Sequence, residues 1–438
     1  MDLSPLQKAI LAELALLIAA GLLFAWQRLG SDKKQVYADV NMNYELLETS
    51  GQNTQSQTEE GNDEENDEKD FIHWVDFDVS CEALEDTSSY DIETHGSALE
   101  LHWVELLAVL ACHNGGDFSS YRSSDMDALA ESLMTGEKTI EELAENLRYY
   151  DYYREAYGAV LDGMLGEYQI QTGTDPVTGE PVLEDRYGLK AFLPIAKNFP
   201  YSDYDDFGVS RSYGYTRSHL GHDMMGQVGT PIIAVESGYV EAMGWNQYGG
   251  WRLGIRSFDG RRYYYYAHLR QNYPYQEGLQ VGSTVTAGDV IGYLGRTGYS
   301  TTENTNNIDT PHLHFGIQLI FDESQKEGNG EIWIDCYQLI RFLGRNRSET
   351  VRDDATKSWH RITEFIDPAV QAWLSETPSK GENSSESENP SENENPSASE
   401  GYGESSPLPE KSAGQITWRN HPADREMISA PKALASSG

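Results

Sequence analysis

The feature of this sequence that most constrains its fold is a series of short, strand-like segments separated by glycines, from about residue 192 to residue 335. The clearest segments are 231–242, 251–258, 262–269, 290–294 and 312–319. Many short strands with turn residues between them are typical of antiparallel sheets. We therefore predict a mainly β domain over residues 186–345, built as an antiparallel sandwich or barrel-like sheet.

Five of the chain's 11 histidines lie in this β region, and they form three short clusters together with one aspartate. The clusters are His219-Leu220-Gly221-His222-Asp223, Tyr266-Ala267-His268-Leu269 and His312-Leu313-His314-Phe315. Residues two apart in a strand point to the same face, so His312 and His314 face one space. Two imidazoles in one cleft suit a metal-activated water, with one as a ligand and the other as a proton carrier.

The first cluster offers one imidazole and one carboxylate as further ligands. With His314 they make three protein ligands and leave the fourth tetrahedral position open, as in catalytic rather than structural zinc sites. Zinc would lower the pKa of a bound water to about 7 and polarise the scissile carbonyl. His268 follows four consecutive tyrosines, where a turn would present it to the same cleft.

The three clusters, in this order, resemble the lysostaphin-type (LytM-like) zinc metallopeptidases of family M23. The matching residues are His219-x-Gly-x-Asp223, Tyr-x-His268-Leu and His312-x-His314-Phe. Intervening residues also match the family: Gly229-Thr230-Pro231, Ala234, Gly238-x-Val240, Gly288-Asp289, Gly292, Gly295, Thr297 and Gly298. The resemblance covers residues 192–335, about a third of the chain.

The resemblance implies a zinc site in which His219, Asp223 and His314 are the metal ligands. It also implies that His268 and His312 are catalytic residues that orient the water, move its proton or steady the oxyanion. The family's fold has the metal on the floor of an open groove that admits an extended, cross-linked peptide. The expected function is a zinc metalloendopeptidase that cleaves stem or bridge peptides of bacterial cell-wall peptidoglycan.

Two alternatives stay open. The first is a non-catalytic M23-like scaffold or regulator of other wall hydrolases, although such relatives typically lose ligands and this chain has lost none. The second concerns His222, which stands beside Asp223 where a small or apolar residue is common in the family. His222 would either replace His219 as a ligand, form a hydrogen bond behind the site, or simply pack.

An apolar segment over residues 9–26, interrupted by Glu13, lies near the N-terminus. Its length approaches the roughly 20 residues that span a bilayer, so we predict an uncleaved, single-pass membrane helix within residues 1–34. Lys8 precedes the segment and three basic residues follow it, which literally places the C-terminal side in the cytoplasm. The expected wall substrate favours the opposite orientation, with the catalytic domain on the extracytoplasmic side of the cell membrane.

Composition predicts the organisation of the remaining chain. Residues 35–70 are a disordered acidic linker, and residues 377–438 are a disordered tail rich in Ser, Glu and Asn. Residues 71–185 are predicted to be mainly helical, with one helix over 101–112 and another that runs from a capping box at Thr139 and Glu142 through Tyr157. Residues 346–376 are predicted to be a C-terminal helical extension, with a helix over 359–373, and 337–343 is a further predicted helix.

Charge and cysteine content exclude other classes. The formal net charge is −39, from 71 acidic and 32 basic residues, so a nucleic-acid partner is not expected. The three cysteines, Cys81, Cys112 and Cys336, are far apart and form no CxxC pair. They therefore indicate neither a disulfide framework nor a cysteine-rich zinc site.

Overall fold

A computed structural model describes residues 71–212, 216–327 and 330–376, which all lie in one compact unit. The predicted membrane helix (1–34), acidic linker (35–70) and tail (377–438) lie outside the described residues. Within the described ranges, no helix combines the length and apolarity that a membrane crossing requires.

The described part of the chain begins with five helices, so the prediction of helices in the N-terminal region is confirmed. They are α1 (Cys81–Thr94), α2 (Trp103–Asn114), α3 (Ser123–Met134), α4 (Ile140–Ala144) and α5 (Tyr150–Leu161). The predicted capping box is present, since the Thr139 side chain accepts from the Glu142 amide and the Glu142 side chain accepts from the Thr139 amide. The predicted continuous helix through Tyr157 is wrong, because the chain leaves the helix after Ala144. There the Asn146 side chain donates to the Glu142 carbonyl and competes with the helical backbone bonds.

A long hairpin of two strands follows α5, namely β1 (Leu165–Thr174) and β2 (Pro181–Leu189). The prediction of a mainly helical region to residue 185 is therefore wrong beyond Leu161. The turn residues explain the hairpin: Asp175 precedes a proline, and its carboxylate accepts from the amides of Val177 and Thr178. Gly179 then takes a left-handed conformation (φ 76°), which glycine adopts without strain.

The predicted mainly β region is confirmed as a set of antiparallel strands. They are β3 (Ser210–Ser212), β4 (Thr216–Ser218), β5 (His222–Met225), β6 (Pro231–Ile233), β7 (Gly238–Asn246), β8 (Gly250–Ser257), β9 (Arg262–Ala267), β10 (Thr284–Val285), β11 (Val290–Tyr293), β12 (His312–Leu319) and β13 (Ile332–Trp333). The main sheet has the order β10-β7-β8-β9-β12-β13, and β5 pairs with the first half of β12. The cluster-bearing segments β5, β9 and β12 are therefore neighbours.

Strand β9 is covered on both faces, which fixes its position in the sheet. Tyr264 and Tyr266 are fully buried in the main core beside Phe315. Tyr263 and Tyr265 are buried on the other face with Trp333. A one-residue shift in register would exchange these two sets, so the packing specifies where β9 ends and hence where His268 begins its turn.

The helices and the sheet share one continuous hydrophobic core. Leu107 and Tyr157 from the helices belong to the same buried cluster as Ile255 and Phe315 from the sheet. At the start of β9, Arg262 is 1% exposed, pairs with Glu236 and donates from Nη1 to the carbonyl of Ala159 in α5 at 2.9 Å. Side-chain burial and this hydrogen bond tie the helical region to the sheet.

Beyond the main sheet lie α6 (Tyr337–Leu343), β14 (Thr350–Arg352), β15 (Trp359–Arg361), β16 (Phe365–Ile366) and α7 (Pro368–Glu376). The helix predicted over 337–343 is confirmed as α6. The helix predicted over 359–373 is wrong for its first half, so 346–376 is only partly a helical extension. Residues 359–361 pair with β14, and Phe365 pairs with Ile170 of β1, which provides sheet bonds that outweigh helical propensity. Helix α7 begins only after Asp367, whose carboxylate accepts from the Ala369 amide.

Candidate active site

Sheet register brings the first and third histidine clusters together. On β12, His314 lies opposite Asp223 of β5 on one side and opposite Ala267 of β9 on the other. Residues directly opposite in an antiparallel pair have Cβ atoms about 5 Å apart, so the carboxylate and the imidazole meet. Gly221 permits this approach, since a Cβ atom there would lie 2.7 Å from the His314 ring and 2.8 Å from the Phe315 carbonyl.

The three predicted ligand side chains share one small space. His219 Nε2 lies 3.0 Å from Asp223 Oδ1, and His314 Nδ1 lies 3.0 Å from the same oxygen. The two imidazole nitrogens are 2.9 Å apart. In the described part of the chain this is the one group of at least three His, Cys, Asp or Glu side chains arranged to hold a metal ion.

The hydrogen bonds of His219 show which of its ring nitrogens faces Asp223 with a lone pair when the ring is neutral. Its Nδ1 lies 3.0 Å from the carbonyl oxygen of Asp206, and because a carbonyl only accepts, Nδ1 must be the donor. In the neutral ring Nε2 then presents a lone pair to Asp223 Oδ1, which is also an acceptor. Two acceptors at this distance repel unless a proton or a metal cation lies between them. Ligand atoms around a tetrahedral zinc ion are about 3.3 Å apart, so the residues present fit zinc.

The electrostatics of the cluster also favour a cation. Burial lowers the pKa of His219, but hydrogen bonds to Asp206 and Asp223 and the charges of both outweigh burial and raise it to about 9. Burial raises the pKa of Asp223, yet its hydrogen bonds to His219 and His314 and the nearby histidine charges hold that pKa well below its usual value. Asp223 therefore stays ionised, as a ligand carboxylate must.

Two further residues support the ligands from behind. Asp206 is fully buried, and its Oδ2 lies 3.3 Å from His219 Nδ1. Arg211 donates from Nη2 to Asp206 Oδ2 and, at 3.0 Å, to Asp223 Oδ2, the oxygen that faces away from the two histidines. Sequence reasoning missed both residues. The only available signal was an acidic segment just before the first cluster, which by itself is typical of an exposed loop.

His222 points away from the three ligands. Its Nε2 lies 2.9 Å from Asp203 Oδ2, its ring contacts Tyr337, and it is 1% exposed. Successive residues of a strand face opposite sides, and Asp223 is the residue that faces the cluster. The structure thus favours a buried hydrogen bond behind the site over ligation by His222.

The two histidines predicted to be catalytic lie together beside this cluster. The rings of His268 and His312 have centroids 4.8 Å apart, and His268 is 5.9 Å from the His314 ring. His312 Nε2 lies 3.7 Å from Asp223 Oδ1. Burial, and then the charges of His312 and His314, hold the pKa of His268 well below its usual value, so His268 is neutral.

Backbone carbonyls set the tautomer of both rings. Nδ1 of His268 lies 2.9 Å from the Thr297 oxygen, and Nδ1 of His312 lies 2.8 Å from the Thr310 oxygen. Each Nδ1 must donate, so Nε2 is the atom that carries the lone pair whenever the ring is neutral. His268 also has a left-handed backbone (φ 61°), a conformation that costs about 1–3 kcal/mol for a residue other than glycine and is found at functional sites.

Comparisons with known proteins find one matching family and several similar proteins. Residues 217–327 match peptidase family M23. The chain is 37% identical over 159 residues to the L-Ala–D-Glu endopeptidase of Bacillus subtilis. The matched segment covers 36% of this chain and 45% of that protein. It is 30% identical over 161 residues to the peptidoglycan DD-endopeptidase ShyC of Vibrio cholerae. That matched segment covers 36% of this chain and 31% of the relative.

Among solved structures, the catalytic domain of lysostaphin from Staphylococcus simulans is similar, with 30% identity and a TM-score of 0.25, over 32% of this chain and 92% of that domain. The chain spans less than half of the length of either enzyme named above. The matched segment contains all five of the histidines and the aspartate of the three clusters. Residues 217–327 of this chain therefore form a domain of peptidase family M23.

Proposed function

We propose that this chain is a zinc-dependent endopeptidase that cleaves peptide bonds in bacterial cell-wall peptidoglycan. The observation that carries the proposal is the juxtaposition of three acceptor atoms suited to one cation with two further histidines. The acceptors are His219 Nε2, Asp223 Oδ1 and His314 Nδ1, at mutual distances of 2.9–3.0 Å. His268 and His312 adjoin them, and their Nδ1 atoms lie within hydrogen-bond distance of backbone carbonyls, which directs Nε2 of each ring away from those carbonyls.

Zinc, held by those three atoms, would supply Lewis acidity and lower the pKa of water to about 7. The protein residues supply the proton transfers. A neutral imidazole with a lone pair on Nε2 accepts the proton of the attacking water and returns it to the leaving amine, which is worth about 10²–10⁴ in rate. His268 and His312 are the residues placed for this role.

The substrate class is supported by the names of the relatives. One acts on an L-Ala–D-Glu bond and another is a peptidoglycan DD-endopeptidase, so both names specify peptide bonds rather than glycosidic bonds. Because the two names specify different bonds, the bond cleaved by this chain has to be read from its products. Walls of known cross-link chemistry provide that assay.

We also propose that the enzyme works on the extracytoplasmic side of the cell membrane, with residues 1–34 as a single-pass anchor. The support is the apolar segment over residues 9–26 and the extracytoplasmic position of the proposed substrate. The test is cell fractionation with protease added to intact protoplasts. We expect a membrane-bound protein whose peptidase region is digested from outside, whereas a protected peptidase region would contradict the orientation.

The test of the enzymatic function uses the purified full chain. We expect about one zinc ion per chain, release of new amino groups from peptidoglycan, loss of turnover with a chelator, and recovery on addition of zinc. A chain that binds zinc without turnover would support the regulator alternative. A chain that binds no zinc would overturn the proposal.

A further inference from the structure

The two proposed catalytic histidines are both held by the ends of one loop, residues 297–310. Thr297 O accepts from His268 at the start of the loop, and Thr310 O accepts from His312 at its end. The first end is anchored deeply, since Thr297 is fully buried and its hydroxyl donates to the Leu269 carbonyl at 2.6 Å. The carbonyls at the two ends of this loop therefore help to orient both imidazole rings.

Asn304, in the middle of the loop, is held by four hydrogen bonds. Its Oδ1 accepts from Trp251 Nε1 at 2.9 Å and from the Asn272 amide at 2.8 Å. Its Nδ2 donates to Asn272 Oδ1, and its carbonyl accepts from Gln271 Nε2, both at 2.6 Å. Gln271 and Asn272 form the turn that follows His268, so Asn304 connects the loop to the segment that carries that histidine.

Neighbouring contacts extend this connection along the loop. Asn306 Nδ2 donates to Gln271 Oε1 at 2.9 Å, and residue 306 forms a β-bridge with Thr297. The amide of Gly298 donates to the Thr305 carbonyl. These contacts join residues 297 and 298 to residues 305 and 306, so the two arms of the loop meet next to Asn304.

The backbone of Asn304 explains the residue type. Its φ is 61°, in the left-handed region that asparagine tolerates better than most residues and that glycine adopts without strain. The side chain supplies an acceptor and a donor at one point, and the amide group uses both. Aspartate would keep the acceptor for Trp251 and lose the donor, whereas glycine would keep the backbone and lose both.

We propose that Asn304 is a positioning residue of the peptidase site, holding loop 297–310 against the turn after His268 so that Nε2 of His268 and of His312 stay directed at the scissile bond. The expected effect on turnover rests on the proposed function, whereas the effect on the two imidazoles does not. Asn304 touches none of the three proposed zinc ligands in the hydrogen bonds described above, so zinc affinity is not part of its role.

The test compares Asn304→Gly, Asn304→Asp and the matched control Glu303→Gln, which changes the exposed neighbour and leaves Asn304 in place, in the full chain. We expect Asn304→Gly to lower kcat on peptidoglycan peptides about 10- to 100-fold, with KM within about threefold and zinc stoichiometry unchanged. Asn304→Asp should recover part of the loss, and Glu303→Gln should match the parent.

A second readout is independent of turnover. Imidazole ¹⁵N spectra of the parent should show Nδ1–H tautomers for His268 and His312, and Asn304→Gly should show mixed tautomers for both while His219 is unchanged. If kcat and both tautomers stay parental in Asn304→Gly, the proposal is wrong. If the parent lacks turnover, the proposed function fails and the spectra alone decide the positioning role. If the glycine variant does not fold, Asn304→Asp decides: partly mixed tautomers support the positioning role, and parental tautomers with parental kcat overturn it.

Discussion

The ligand cluster and the pair formed by His268 and His312 lie side by side, yet different parts of the molecule hold them. His219 donates from Nδ1 to the Asp206 carbonyl beside the buried Asp206 carboxylate, Asp223 accepts from Arg211, and His314 is placed by the register of β12. His268 and His312 are held by backbone carbonyls at the two ends of one loop. Zinc affinity and proton transfer therefore depend on contacts from different parts of the chain. A substitution that weakens one set of contacts should leave the other set in place.

The largest expected effect comes from removing a ligand. His314→Ala should reduce zinc binding below about 0.1 per chain at zinc concentrations that saturate the parent, and should abolish turnover, because two ligands do not make a tetrahedral site. Zinc content by elemental analysis and release of amino groups measure the two effects. His360→Ala, which removes an exposed histidine on β15, is the matched control and should leave both unchanged.

The next largest effect separates turnover from zinc binding. His312→Ala should lower turnover by about 10²–10⁴ while one zinc ion remains bound, because it removes a proton carrier and no ligand. The measurement is kcat together with zinc stoichiometry on the same sample. Loss of zinc in this variant would break the distinction between the two halves of the site.

A smaller effect is expected behind the ligands. Asp206→Asn should weaken zinc binding by about 10- to 100-fold, since it removes the carboxylate beside His219 Nδ1 and a charge that holds Arg211. At saturating zinc, kcat should stay within about threefold of the parent. Competition with a chromophoric chelator measures the affinity, and an unchanged affinity would show that Asp206 does not support the site.

The smallest effect is expected for Arg211→Ala. The side chain of Arg211 is 25% exposed, so water can replace part of its contact with Asp223, and partly exposed ion pairs contribute about 1 kcal/mol or less. We expect zinc affinity to fall by less than about tenfold, measured by the same competition. A larger loss than in Asp206→Asn would show that Arg211, rather than the buried carboxylate, is the main support.

The candidate ligands were predictable because each belongs to a short local pattern. The spacing of His312 and His314 places them on one face of a strand, and the strand signals around them predicted β12 correctly. Glycines marked the turns, and their positions agree with the strand ends that the structure describes. The tyrosine run before His268 likewise predicted a buried strand ending at a turn.

The residues that hold the ligands and the two further histidines in place were not predictable, because their contacts join distant segments of the chain. Asp206 has no pattern around it, and only the fold brings its carboxylate to His219. Asn304 lies in a polar loop that reads as solvent-exposed, and its partners Trp251 and Asn272 become neighbours only through the sheet. The pairing of β16 with β1 has the same origin, whereas the β1–β2 hairpin and the β14–β15 pair are local and were missed because their turn residues were not recognised.

Arg262 makes the peptidase region dependent on the helices that precede it. A fragment that begins at residue 192 would lack Ala159 and lose the hydrogen bond that the Arg262 guanidinium donates to its carbonyl, a contact worth about 1.5–3 kcal/mol for a charged donor. It would also uncover the face of the core that Leu107 and Tyr157 now fill. A soluble enzyme fragment should therefore begin before α1, and grafting the family segment alone onto another scaffold would yield an aggregating protein.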